Sequence, residues 1–328
     1  MKILLLSRKD VEKIVSMREV IEAVEEAFLA KGLGKVQMPP KSYIYFNRFQ
    51  GDFRVMPAYL EDMGAAGVKI VNVHPKNPQK HGLPTVMATI FLLDPKTGAP
   101  LAIMDGTWIT NMRTGAGGAV AAKYLARKDS HVVAMVGAGV QARTQLIALN
   151  EVLDIDEVRV SDAFKGKAKK YAEEMGKLLG IEIEPMTDVE KTLEGADIVV
   201  TFTPARGPIV KDEWISEGMH INAIGADAPG KQELDPEILK RAKIVVDDLK
   251  QALHSGEVNV PLSEGIIARG DIYAELGEVI TGKKPGRASR DEITIFDSTG
   301  LAIQDIATDW KVYQKANKMG KGRKVELL

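Results

Sequence analysis

Residues 131–149 read HVVAMVGAGVQARTQLIAL, and the fold follows from how this stretch divides. The first six residues are apolar enough for a buried strand. Gly137, Gly139 and Ala142 then punctuate a turn that runs into a helical stretch. Glycine at 137 permits the tight turn, and glycine at 139 lets a pyrophosphate approach the backbone. Alanine at 142 lets the helix pack close to the strand. The phosphates of a dinucleotide would sit at the helix N-terminus, where unpaired N–H groups and the helix dipole favour an anion. A second strand at 158–161 (VRVS) ends at Asp162, whose carboxylate can bind both ribose hydroxyls. Strand, glycines, helix, second strand and terminal acid in that order predict a nicotinamide dinucleotide site. The unit begins in the middle of the chain, so the residues before it must build something else, the substrate side.

Working outward, further strands at 197–203, 220–224, 243–247 and 293–296 alternate with helical stretches, which implies a parallel, doubly wound sheet. Upstream, Ser16 and Glu19 form a capping box, and Val20, Ile21, Val24 and Phe28 follow on one apolar face. Gly32 and Gly34 end that helix. Between 41 and 105 the pattern is strand-like, at 42–46, 53–56, 67–71, 86–93 and 101–104. Residues 94–98 (DPKTG) make a hairpin turn between the last two. A small-residue helix from Thr110 to Tyr124 leads into the nucleotide unit. After Gly300, Ile303, Ile306, Trp310 and Tyr313 mark an amphipathic helix expected to pack back on the first region. The expected fold is α/β: a Rossmann-type doubly wound sheet, residues 116–300, inserted into a discontinuous α+β domain, residues 1–115 with 301–328.

Composition narrows the function. Hydrophobic residues at 45% and charged residues at 27% of 328 suit a globular protein with two cores. The net charge of −1 argues against nucleic acid as a main partner. No stretch reaches the ~20 apolar residues that span a bilayer, and Arg8, Lys9 and Asp10 cut short the apolar start, so no membrane partner is expected. The basic cluster at 318–324 reads as a solvated tail. With no cysteine there is neither a disulfide framework nor a thiol nucleophile, and a cytoplasmic enzyme is the expectation. The five histidines, at 74, 81, 131, 220 and 254, lack paired metal-ligand spacing, although His74 and His81 share a polar loop; no metal is expected. A G-x-S-x-G elbow is also missing, which argues against a serine hydrolase.

Isolated basic residues within strands are the candidate chemistry. Arg54 lies in FRVMP (53–57) and Lys69 in GVKIV (67–71). Strand alternation allows each to sit on a solvated face. Buried instead, Arg54 suits a substrate carboxylate, which a guanidinium fork matches, and Lys69 suits an acid or base whose pKa falls on burial. Lys41 adds a second cation, and Arg113 just upstream of the nucleotide strand can reach a phosphate or a carboxylate. Asp227, in NAIGAD (222–227), follows a strand at its carboxyl end, where ligands of doubly wound sheets bind. It can equally cap the turn before Pro229. Ser298 and Thr299 follow another strand, placed either to approach a nicotinamide or to cap a helix.

These pieces together resemble the ornithine cyclodeaminase/mu-crystallin family. The resemblance is carried by MPPK (38–41), RVMP (54–57), VKIVN (68–72), HPKN (74–77), GLPT (82–85), RTGA (113–116), GAGVQA (137–142), NAIGAD (222–227) and DSTG (297–300). It implies a homodimer formed through the sheet-rich domain, completed by the C-terminal helix, and an NAD cofactor facing substrate in the cleft between domains. It implies cofactor contacts from Arg113, Gly137, Gly139, Val140, Gln141, Asp162, Gly225, Ala226, Asp227 and Ser298, substrate contacts from Lys41, Arg54, Lys69 and Arg113, and catalysis by Lys69 and Asp227. Cyclodeaminases of the family carry a glutamate two residues before the Met-Pro pair, where it receives the distal amine of ornithine; this chain has Arg54 there. A cation facing a cationic side chain repels it, so the chain is closer to the archaeal-type alanine dehydrogenases. The implied reaction is oxidation of L-alanine to pyruvate and ammonia, with ornithine cyclodeamination, ketimine or imine reduction and non-enzymatic ligand binding as rivals. Asp162 argues for NAD over NADP, and Lys165 and Lys167 beside it soften that preference.

Overall fold

The computed structural model describes residues 2–326. The chain forms two compact units. One runs up to Arg113 and resumes at Leu301; the other is Thr114–Gly300. The sequence reading placed the first junction at 115/116.

The first unit holds strands β1 (Lys2–Leu6), β2 (Val36–Gln37), β3 (Ser42–Phe46), β4 (Gly51–Leu60), β5 (Ala65–Val73), β6 (Val86–Leu93) and β7 (Pro100–Asp105). Sheet order is β18-β1-β7-β6-β5-β4-β2, with β3 also on β4; β18 is Arg323–Glu326. All pairings are antiparallel except β1 with β7. The β6–β7 turn forms as expected: Asp94 accepts from the Lys96 amide and the Thr97 hydroxyl, and Gly98 takes a left-handed φ of 72°. The period-two pattern puts Arg54, Met56, Ala58 and Leu60 of β4 on one buried face. In β5, Lys69 lies opposite Met56, and Val71 opposite Arg54. Ile90, Leu92, Ala102 and Met104 continue this face on β6 and β7. The helices Met17–Gly32 and Ala302–Met319 belong to this unit, tied by Lys315 Nζ at 2.7 Å from Glu19. Each fully buried Leu, Ile or Phe of this core contributes about 1.5–3 kcal/mol.

Three expectations need correcting here. The cluster at 318–324 is not simply a solvated tail. Its last residues enter β18, whose exposed side chains line an edge strand on β1. His81 is not in a loop but ends the short helix Asn77–His81. The C-terminal helix is not amphipathic along its length: residues 302–309 are buried on every side, whereas Trp310 and Tyr313 are half-buried and stack on each other. A helix buried all round needs a different account of its polar residues.

The second unit is a doubly wound sheet of β8 (Val132–Val136), β9 (Glu157–Ser161), β10 (Ile183–Pro185), β11 (Ile198–Thr201), β13 (His220–Ala223), β15 (Lys243–Val246), β16 (Ile272–Glu275) and β17 (Thr294–Asp297). Their order is β10-β9-β8-β11-β13-β17-β15-β16, all parallel. A small ribbon, β12 (Arg206–Val210) with β14 (Gln232–Leu234), stands apart. The order reverses at β8, between β9 and β11, which is where such sheets open a crevice at their carboxyl ends. The small residues before β8 have a packing cause: a methyl group on Gly115 would strike the Thr144 carbonyl, and one on Gly118 the Gln145 side chain. No helix among the described residues is long and apolar enough to cross a membrane.

Candidate active site

In the first unit the buried basic residues converge. Lys69 is 1% exposed and Arg54 8%, so neither lies on a solvated strand face. Both belong to the face that carries the hydrophobic core. Lys69 Nζ lies 2.6 Å from Asp305 Oδ2, and Arg113 Nε lies 2.9 Å from Asp305 Oδ1. Arg113 Nη1 also donates to Gln304 at 3.2 Å. One carboxylate from the C-terminal helix therefore serves two buried cations from two other elements. Burial, with repulsion from Arg113 and Lys41, holds the Lys69 pKa down to about 7 from 10.5, against the attraction of Asp305. Such a lysine can gain or lose a proton near neutrality.

Arg54 is fixed by Asp52, which accepts from Nε at 2.9 Å and Nη2 at 3.0 Å, and its guanidinium lies 5.3 Å from the Tyr43 ring centroid. Arg113 reaches a carboxylate, as its position allowed, but one supplied by the protein itself. Asp309, one helical turn beyond Asp305, is fully buried, and neither of its oxygens has a hydrogen-bond partner among the described residues. Burial and the Asp305 charge push its carboxyl well above the usual range, against the attraction of Lys69.

The second unit carries the dinucleotide features. Gly137 has a φ of 111°, and a side chain there would meet the Phe202 ring. Gly139, the N-cap of the helix that follows, has nothing within 4 Å of where a side chain would begin, so a ligand can approach the backbone there. Gly139 precedes the helix Val140–Asn150, whose first turn lacks a side-chain cap; Val140 is exposed, Gln141 half-buried, and Ala142 fully buried. Asp162 accepts from the Ala138 amide at 2.9 Å and the Phe164 amide at 2.8 Å, which places its carboxylate at the glycine turn. Arg143 braces the same turn through the carbonyls of Ala138 and Gly139. An open glycine, uncapped helix amides and a carboxylate after the second strand fit a dinucleotide's diphosphate and ribose.

Asp227 lies at the carboxyl end of β13 as expected, and its carboxylate pairs with Lys231 at 2.5 Å. Gly225 and Ala226 just before it are buried. Ser298 and Thr299 do not cap the C-terminal helix: Leu301 is its N-cap, and Thr299 instead bonds Asp247. His220 is a neutral core histidine between Thr294 and Asn222, with burial holding its pKa down to about 3. Sequence reading missed Asp305 and Asp309, and also Glu233 and Glu257, two buried acids around the 225–227 loop. Asp305 follows the apolar run Leu301–Ile303, the one local signal; Glu233 and Glu257 stand in polar stretches that gave none.

Four likenesses bear on this arrangement, one to a family and three to known proteins. Residues 1–320 match the model of the ornithine cyclodeaminase/mu-crystallin family. The alanine dehydrogenase of Archaeoglobus fulgidus is 54% identical over 329 residues, covering 99% of both chains. The structure of an archaeal alanine dehydrogenase dimer with bound NAD superposes with a TM-score of 0.96 at 54% identity, covering 100% of each chain. The Thermococcus litoralis Δ1-pyrroline-2-carboxylate reductase in complex with NADH and L-proline gives a TM-score of 0.96 at 50% identity, covering 98% of this chain and 100% of that one.

Proposed function

The chain belongs to the ornithine cyclodeaminase/mu-crystallin family, and from that premise we propose that it is an NAD-dependent L-alanine dehydrogenase. The observation that carries this reading is a set of buried cations in the first unit: Arg54 and Lys69 on one sheet face, Arg54 where a receptor for a distal amine would need an acid, and Arg113 from the helix Gly106–Leu125, which shares Asp305 with Lys69. Such a face suits a short amino acid held by its carboxylate. NAD held at the Gly137–Gly139 turn supplies the acceptor for the substrate's α-hydride.

The chain's own residues do the rest. Arg54, oriented by Asp52 and helped by Lys41, holds the substrate carboxylate, and this positioning supplies much of the rate. The substrate reacts as its neutral amine, whose lone pair forms the C=N bond as the α-hydride leaves, and neutral Lys69 then takes a proton from the water that adds to the iminium carbon. Asp227 carries the second proton transfer, which expels ammonia and leaves pyruvate. The protein works as a homodimer, a reading supported by exposed Ile44, Tyr45, Phe46, Phe49 and Ile70 on the first unit and by the dimeric archaeal relative.

If Lys69 acts as a base, oxidation needs its neutral form. The value of kcat/KM, calculated on the neutral-amine form of the amino acid, should then rise about tenfold per pH unit below pH 7 and level off above it. A profile flat from pH 6 to 8 would remove Lys69 from that role.

A second reading is reduction of a cyclic imine, favoured by the 50% identical reductase solved with NADH and L-proline. One assay separates the two: NADH formation with L-alanine, L-proline and L-ornithine in parallel, with proline also measured in the ornithine reaction. NADH from alanine supports the proposal, and NADH from proline alone replaces it with the second reading. Proline from ornithine without NADH accumulation would show that Arg54 tolerates a distal amine and that the chain is a cyclodeaminase.

A further inference from the structure

The second unit contains a row of buried carboxylates that the proposed reaction does not use. Glu233, Glu257 and Asp297 are each 0% exposed, and each grips backbone amides of the segment before it in the row. Asp297, at the end of β17, accepts from the Glu257 amide at 2.9 Å and the Val258 amide at 3.2 Å. Glu257 accepts from the amides of Glu233 at 2.9 Å and Leu234 at 2.7 Å. Glu233 accepts from the Gly225 amide at 2.9 Å, the Thr203 amide at 2.6 Å and the Thr201 hydroxyl at 2.8 Å. The row thus runs from the carboxyl end of β17 to the loops that leave β11 and β13.

Two glycines record how closely the chain approaches these acids. A methyl group on Gly225 would overlap the Glu233 carboxylate, and one on Gly256 would overlap that of Asp297. Neither glycine needs a left-handed φ, so close approach is the physical reason for both: of the Asp297 carboxylate at Gly256, and of the Glu233 carboxylate together with the Thr203 carbonyl at Gly225. The far side of the 225–231 loop is pinned separately, by Asn259 accepting from the Gly230 amide and donating to the Lys231 carbonyl.

We infer that Glu233 is a positioning residue for the reaction: its carboxylate, held from behind by Glu257 and Asp297, fixes the loop from which Asp227 works. This rests on the reading that Asp227 transfers a proton during turnover. A preorganised loop costs nothing to order at the moment of reaction, and a displacement of about 1 Å is worth up to ~10²-fold in rate. Burial and the Glu233 charge push the Glu257 carboxyl well above its usual range. Burial, with the Asp247 charge, also pushes Asp297 up to about 7, so the row does not carry its full negative charge at neutral pH, which lets it be buried without a matching set of lysines.

Glu233→Gln tests the inference. One carboxylate oxygen becomes an NH2 group, which must face a backbone donor whichever way the amide turns. Either Thr203 or Gly225 is then released. We expect kcat to fall at least about tenfold on whichever amino acid the wild-type protein oxidises, with its KM changed less than about threefold. Amide exchange at Thr203 or Gly225 should accelerate by a similar factor with no substrate present. Gly225→Ala, whose methyl group would push the loop off both the intact Glu233 carboxylate and the Thr203 carbonyl, should reproduce both effects if Glu233→Gln does not fold. Unchanged exchange, or faster exchange with wild-type kcat, overturns the inference. A wild-type protein that oxidises none of the amino acids overturns the functional reading instead, and the exchange rates then decide by themselves whether Glu233 holds the loop.

Discussion

Lys69→Ala is expected to lower turnover by about 10³-fold while NADH binding stays within about threefold of wild type. The two readouts separate because Lys69 lies on the sheet of the first unit, whereas the glycine turn, the Val140–Asn150 helix and Asp162 all lie in the second. Turnover within tenfold of wild type would remove Lys69 from the chemistry. Lys69→Met, with nearly the same length and no charge, adds a stability test. Burial lowers the lysine pKa from 10.5 to about 7, so between those values the unfolded chain binds a proton that the folded chain has released. Stability therefore rises with pH through that window, and the full penalty for the buried charge is present below pH 7. Lys69→Met removes the penalty. Its stability relative to wild type should be a few kcal/mol more favourable at pH 6 than at pH 9, read by denaturant unfolding at both. Equal differences at the two pH values would mean that the folded protein does not depress Lys69.

How much of this was legible in the sequence depends on how local the cause is. The dinucleotide features were readable because each residue acts through its own backbone: Gly137 by its φ of 111°, Gly139 by the open space beside it, Ala142 by close packing. Lys69 and Arg54 were ambiguous because strand alternation assigns a residue to a face but does not say which face is covered. The cover includes the Ala302–Met319 helix, more than 200 residues further along, so the ambiguity was resolved only by tertiary structure.

The same distance hid Asp305. As a helix residue between Gln304 and Ile306 it carries no mark of its partners, and its role exists only once Lys69 and Arg113 are beside it. Glu233 was hidden differently. Its meaning lies in Gly225, whose missing side chain looked like part of a ligand loop but makes room for the Glu233 carboxylate and the Thr203 carbonyl behind it.

Asp305→Asn should be among the most destabilising single changes in this protein, by about 3–5 kcal/mol at pH 6. Asparagine keeps the shape and can still accept from Arg113, but two cations would then be buried without their shared counter-charge. Because the carboxylate is one of the groups that raise the Lys69 pKa, its loss should move the acid limb of the kcat/KM profile below pH 7. Part of the lost stability should also return as the pH rises and Lys69 discharges. Asp309→Asn supplies the contrast. That carboxyl is buried just as deeply one turn away, but burial pushes it toward its neutral form and its oxygens have no hydrogen-bond partner among the described residues, so the neutral amide should cost less than about 1 kcal/mol and leave the pH profile in place. The comparison turns on charge, since both changes swap the same atoms on one buried helix. If Asp305→Asn instead proves mild, and unfolding at pH 6 becomes sensitive to Asp309 only in its presence, then Asp309 ionises to take over the cations. The counter-charge would then belong to the pair of aspartates and not to Asp305 alone.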